Sequence, residues 1–151
     1  MKIIISPVLR LDKVRNLSFQ ELGEVSDINY LLSNSDVITL HTRIVQETEY
    51  LIGAEEFSIM KSNAVIINTA RGKLVNEKAL YDSLISGKIA GAALDVFEKE
   101  PLSKNNQLKS LSNVILTSHN AANSHEVINE SIKKLINNIK SKLDWGFRWK
   151  K

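Results

Sequence analysis

Four apolar runs in this chain end in side chains able to do chemistry. Val37–Leu40 leads into His41-Thr42 and Ala64–Ile67 into Asn68-Thr69-Ala70-Arg71-Gly72. Ile89–Val96 carries Asp95 with Glu100 just beyond, and Val114–Thr117 reaches Ser118-His119. A guanidinium, a carboxylate and an imidazole brought together suit chemistry on a small carboxylate-bearing carbonyl or alcohol. Arg71 can fork onto the carboxylate, His119 can move a proton, and Glu100 can hold and charge the histidine. Taken singly, each is more simply a solvated strand end or a salt-bridge partner. Their shared position sets them apart, because ligands of open parallel sheets collect at the carboxyl ends of the strands.

The two runs that flank the central segment, Ala64–Ile67 and Ile89–Val96, are nearly continuous rather than alternating, the pattern of parallel strands buried on both faces. Between them lies a helix-like segment opened by Asn76 as N-cap, with Glu77 in its first turn, Leu80 and Leu84 on its buried face, and Gly87 at its close. Upstream, Lys2–Ser6 reads as a strand stopped by Pro7, and Val8–Glu24 as loop with a short strand around Phe19–Leu22. Ser26 and Asp27 offer caps to a helix with Ile28, Leu31 and Leu32 at helical spacing, and Ala54–Met60 reads as a short helix. The spacing of Ile128, Ile132, Leu135, Ile136, Ile139 and Leu143 predicts a long last helix over Ser124–Leu143. Strands alternating with helices give a doubly wound α/β domain, with a parallel sheet of about five strands and helices on both faces.

The 151 residues, 43% hydrophobic, suffice for one ordinary core. A net charge of +3, from 20 basic and 17 acidic residues mixed along the chain, argues against a dedicated nucleic-acid or membrane surface. With no cysteine, disulfides, thiolate catalysis and a Cys-based metal site are all ruled out. No metal is expected. No apolar stretch has the length of a membrane span and Met1–Ile5 is too short for a signal peptide, so the cytoplasm is the expected location.

The runs NTARGKLVNEKAL, SGKIAGAALDVFEKEP and NVILTSH resemble the D-2-hydroxyacid dehydrogenase family, phosphoglycerate dehydrogenase-like, in its nicotinamide-binding domain. The resemblance extends through SNSDVITLHT and ETEYLIGAEEFSIMKSNAVI to nearly the whole chain. It implies a Rossmann-like fold, NAD as cofactor and a small 2-hydroxy or 2-keto acid as substrate. By the same resemblance Arg71 orients the substrate carboxylate, His119 moves the hydroxyl proton, and Glu100, five residues after Asp95, holds the imidazole. Glu98 is the rival acid, two residues too early for the family pattern. Thr42, Thr69, Ala70, Asp95, Asn120, Ala121 and Ala122 fall at cofactor-facing positions, Asp95 as partner of the carboxamide end of the nicotinamide.

The chain also departs from that pattern. Its six glycines include no two spaced one residue apart, so the G-x-G-x-x-G turn that holds a pyrophosphate is missing. MKIIIS matches the family's second strand, and where an Asp commonly ends that strand Ser6-Pro7 stands, with Arg10 downstream, which leaves NADP open. Arg43 and Ser118 stand where proline is usual. The expectation is therefore a single partial nicotinamide-dinucleotide-binding domain over 1–151 with an incomplete, truncated sheet, binding NAD weakly and inactive alone. A homodimer or a complementing chain is the expected partner besides the substrate. The alternative is a non-catalytic remnant serving as a binding or oligomerisation module. The aromatic and basic tail, 144–151, is read as packing back onto protein rather than as a nucleic-acid site.

Overall fold

The computed structural model describes residues 4–5 and 24–146. Its main sheet has four parallel strands whose spatial order repeats their chain order: β3 (Val37–Leu40), β4 (Val65–Asn68), β5 (Gly91–Leu94) and β6 (Val114–Leu116). Leu40, Asn68, Leu94 and Leu116 stand opposite one another in the last row. His41, Thr69, Asp95 and Thr117 therefore leave the carboxyl edge at one level.

Helices α1 (Ile28–Asn34), α2 (Ala54–Ile59) and α3 (Glu77–Ile85) contribute to one core with the sheet. Leu32, Phe57, Leu80 and Leu84 bury against Ile38, Leu40, Ile66, Ala92 and Leu94. Local chemistry sets the helix ends. Asp27 Oδ1 accepts the Tyr30 N–H at 2.9 Å, and Asn76 Oδ1 accepts the Ala79 N–H at 2.9 Å. Gly87, at φ +67°, turns the chain out of α3 in the left-handed conformation that costs glycine least.

Two expectations change. The strand near Lys2 does not join the main sheet: β1 (Ile4–Ile5) pairs in parallel with β2 (Glu24–Val25) as a separate two-stranded sheet. Pairing needs a neighbour at about 4.8 Å, and β3 has no strand partner on its outer edge among the described residues. The expected strand at Phe19–Leu22 and the loop Val8–Glu24 fall outside the described residues, except that Glu24 belongs to β2. Finally, burial in β3 and β4 alternates along the strand, and Val37 is 61% exposed, so only one face of these two strands is fully covered.

From Asn120 onward the described residues form a second compact unit. Within it, α4 (His125–Gly146) starts where Ser124 Oγ accepts the Val127 N–H at 3.2 Å. Ile128, Ile132, Leu135, Ile136 and Ile139, the expected stripe, are all exposed. Residues 144–146 of the aromatic and basic tail belong to α4, and the rest of the tail lies outside the described residues. Among the described residues no helix is long and apolar enough to cross a membrane.

Candidate active site

Arg71 sits on a turn shaped by the side chain of a residue in β4. Asn68, 1% exposed, accepts the Ala70 N–H on Oδ1 at 3.1 Å and donates Nδ2 to the Arg71 carbonyl at 2.8 Å. The guanidinium is exposed, with Nη1 donating to the Ala70 carbonyl at 2.6 Å, and it makes no ion pair among the described residues. Its fork is therefore available to a carboxylate. The next residue, Gly72, packs so closely on another loop that a Cβ built there would overlap the Phe97 carbonyl.

That other loop leaves β5. Asp95 N–H bonds the Asn68 carbonyl at 3.0 Å, and Phe97 N–H bonds Glu100 Oε1 at 3.0 Å. The second oxygen, Glu100 Oε2, lies 2.7 Å from Nδ1 of His119. His119 follows β6 at φ +55°, a left-handed conformation that costs a non-glycine residue about 1 kcal/mol or more. The His119 hydrogen bond, followed by that of Phe97, holds the Glu100 carboxyl below the usual glutamate value, while partial desolvation and the Asp95 charge oppose it. An ionised Glu100 accepts, so Nδ1 carries the proton and Nε2 is the ring atom left for a substrate oxygen. Glu98 does not take this place. Its Oε1 accepts the Glu77 N–H at 2.7 Å at the start of α3.

Asp95 is 3% exposed and accepts the Thr117 hydroxyl at 2.5 Å. A buried carboxylate at a strand end suits an amide donor, which fits the carboxamide of a nicotinamide. Thr42 is half-buried after β3, Thr69 exposed and Ala70 half-buried after β4, along the same edge. Asn120, Ala121 and Ala122 lie in the second unit, where the Asn120 carbonyl accepts the Asn123 N–H at 2.9 Å. The sequence offers no Gly-rich turn for the diphosphate of a dinucleotide. No cluster of three or more metal-ligating side chains occurs among the described residues. Sequence reasoning did not reach Asn68, Gly72 or Thr117 as supporting residues, although the first two lie inside the NTARG run that carried the resemblance.

An Arg turn and a Glu–His pair at the carboxyl edge of a parallel α/β sheet define a ligand-binding domain of the doubly wound class. The chain belongs to the D-isomer specific 2-hydroxyacid dehydrogenase family, whose NAD binding domain model matches residues 1–121. It is 48% identical over 119 residues to a D-3-phosphoglycerate dehydrogenase of Methanocaldococcus jannaschii, covering 74% of this chain and 22% of that protein. It is 42% identical over 134 residues to a glyoxylate reductase of Korarchaeum cryptofilum, covering 87% of this chain and 40% of that one. Its fold matches an acyclic imino acid reductase solved with NADPH and D-Arg, at a TM-score of 0.80 and 36% identity, over 96% of this chain and 44% of that chain. This chain therefore spans less than half the length of each.

Proposed function

We propose that this chain supplies the proton-transfer and substrate-orienting groups of an oxidoreductase acting on the CH–OH group of a 2-hydroxy acid, with NAD or NADP as acceptor. The observation that carries the reading is the 2.7 Å contact between His119 Nδ1 and Glu100 Oε2. Glu100 fixes the tautomer, so Nε2 takes the substrate's hydroxyl proton in oxidation and returns it in reduction. Between those events Glu100 stabilises the charged imidazole. Arg71 forks onto the substrate carboxylate and polarises the neighbouring carbonyl. When bound, the nicotinamide supplies the hydride acceptor or donor. Asp95 holds its carboxamide, and Thr42, Thr69 and Ala70 of the same unit complete its surroundings.

A chimera tests this. The matching segment of the Korarchaeum glyoxylate reductase, 42% identical, is replaced by this chain's residues and glyoxylate reduction is assayed with NADH and NADPH. An active chimera that loses at least about 100-fold in kcat on His119→Gln supports the reading. An active chimera indifferent to His119→Gln and to Arg71→Lys refutes it. A second reading, a non-catalytic module that pairs with a further copy or a complementing chain, is favoured by the outer edge of β3, which has no strand partner among the described residues. An inactive chimera, together with a self-associating chain in sedimentation, would select it.

A further inference from the structure

We propose that Glu77 and Glu98 form a reciprocal latch that positions Glu100 toward His119 and ties it to the Arg71 turn. The inference rests on the catalytic reading above and gives the second acid of the loop a positioning role. Glu77 offers its N–H to Glu98 Oε1 at 2.7 Å, and Glu98 offers its N–H to Glu77 Oε1 at 2.6 Å. Asn106 Nδ2 donates to the remaining oxygen of Glu77 at 3.1 Å. Two neighbouring carboxylates repel unless each finds donors. Here Glu98 accepts the Glu77 amide at the start of α3, where the helix dipole favours negative charge, and Glu77 accepts the Glu98 amide in the loop.

Glu100 needs such support because its side chain is 37% exposed, so burial does not hold it in place. Its carboxylate is instead fixed through the backbone just before it. Glu98 N–H is fastened to Glu77, and Phe97 N–H reaches Glu100 Oε1 at 3.0 Å. Gly72 also packs on the backbone of Phe97 and Glu98, leaving no space for a Cβ. Gly72 directly follows Arg71. A continuous mechanical path therefore runs from the guanidinium turn, through the glycine contact and the latch, to the carboxylate that meets the imidazole.

The test needs no cofactor. In the 151-residue chain, carboxyl-carbon NMR follows the titration of Glu100, and amide exchange follows the N–H groups of Glu77 and Glu98. In Glu98→Ala both amides should exchange faster, and the Glu100 midpoint should move up toward the ordinary glutamate value as its partners fall out of line. Glu98→Gln, whose amide oxygen still accepts the Glu77 N–H, should keep both near wild type. If Glu98→Ala does not fold, Glu98→Asp, one methylene short, is read the same way. An unchanged Glu100 midpoint with freed amides overturns the latch, as does a Gln variant that behaves like Ala, or amides that stay protected in Ala. Lost global stability alone does not move a folded-state titration, so the readout separates positioning from support. Failure of the catalytic reading shows separately, as a chimera whose turnover ignores Glu100→Gln while the titration result stands.

Discussion

His119 Nδ1 and Glu100 Oε2 lie 2.7 Å apart across 19 residues of chain, with side chains 54% and 37% exposed. A hydrogen-bonded pair that open to water contributes little to stability. Its geometry asks for another explanation, and orienting a proton-transfer imidazole is one.

The pair makes a pH prediction. Glu100 is held below its ordinary value of 4.5, first by the His119 hydrogen bond and then by Phe97 N–H. The folded state therefore binds fewer protons than the unfolded state. The stabilisation is present above 4.5 and is lost as pH falls through the lower folded-state value. Thermal melts should show a small, constant deficit for Glu100→Gln near neutral pH, and the deficit should close under acid conditions. A deficit that grows on acidification contradicts the sign.

Arg71→Lys should act on substrate rather than on the fold. The guanidinium is exposed and free of ion pairs among the described residues, so the melting temperature should hold within the equivalent of about 0.5 kcal/mol. A lysine keeps the charge but loses the planar fork. In the active chimera, KM for the 2-keto acid should rise roughly tenfold or more, the scale of one charge-assisted hydrogen bond. Steady-state kinetics of the variant decide it.

Two glycines should respond differently to the same substitution. Gly72→Ala drives a Cβ into the Phe97 carbonyl, backbone against backbone, and should cost about 3 kcal/mol or more. Gly87→Ala meets nothing within 4 Å and suffers only from φ +67°, at about 1 kcal/mol. Urea unfolding of both variants measures the difference. Equal costs would mean that the loop at Phe97 yields.

Cofactor affinity of the chain alone should be low. Asp95 and Thr42 can meet the nicotinamide end, yet no G-x-G-x-x-G turn is present to cradle the diphosphate. NADH and NADPH fluorescence titrations should show no saturable binding tighter than about 100 μM. Saturation at low micromolar concentration would mean that another segment builds the phosphate site.

Much of this arrangement was legible before any coordinates, and the parts that were share a short range. The caps Asp27 and Asn76 act on amides three residues away, and Gly87 ends its own helix. The strands Val37–Leu40 and Val65–Asn68 announce themselves by β-branched content, and parallel strands necessarily send Arg71, Glu100 and His119 past the same edge. What stayed hidden depends on residues far apart in sequence. The separation of β1 and β2 from the main sheet is a pairing outcome, which no local propensity encodes. The alternating burial of β3 and β4 depends on which face of the sheet distant segments cover, not on composition. Glu98 and Glu100 are the same residue type two positions apart, and only the path of the loop sends one to the Glu77 amide and the other to His119. That path is set where Gly72 meets Phe97 and Asp95 meets Asn68, contacts 25 and 27 residues apart in the chain. A side chain's partner is chosen by where the backbone is held, and the backbone is held by packing between distant segments.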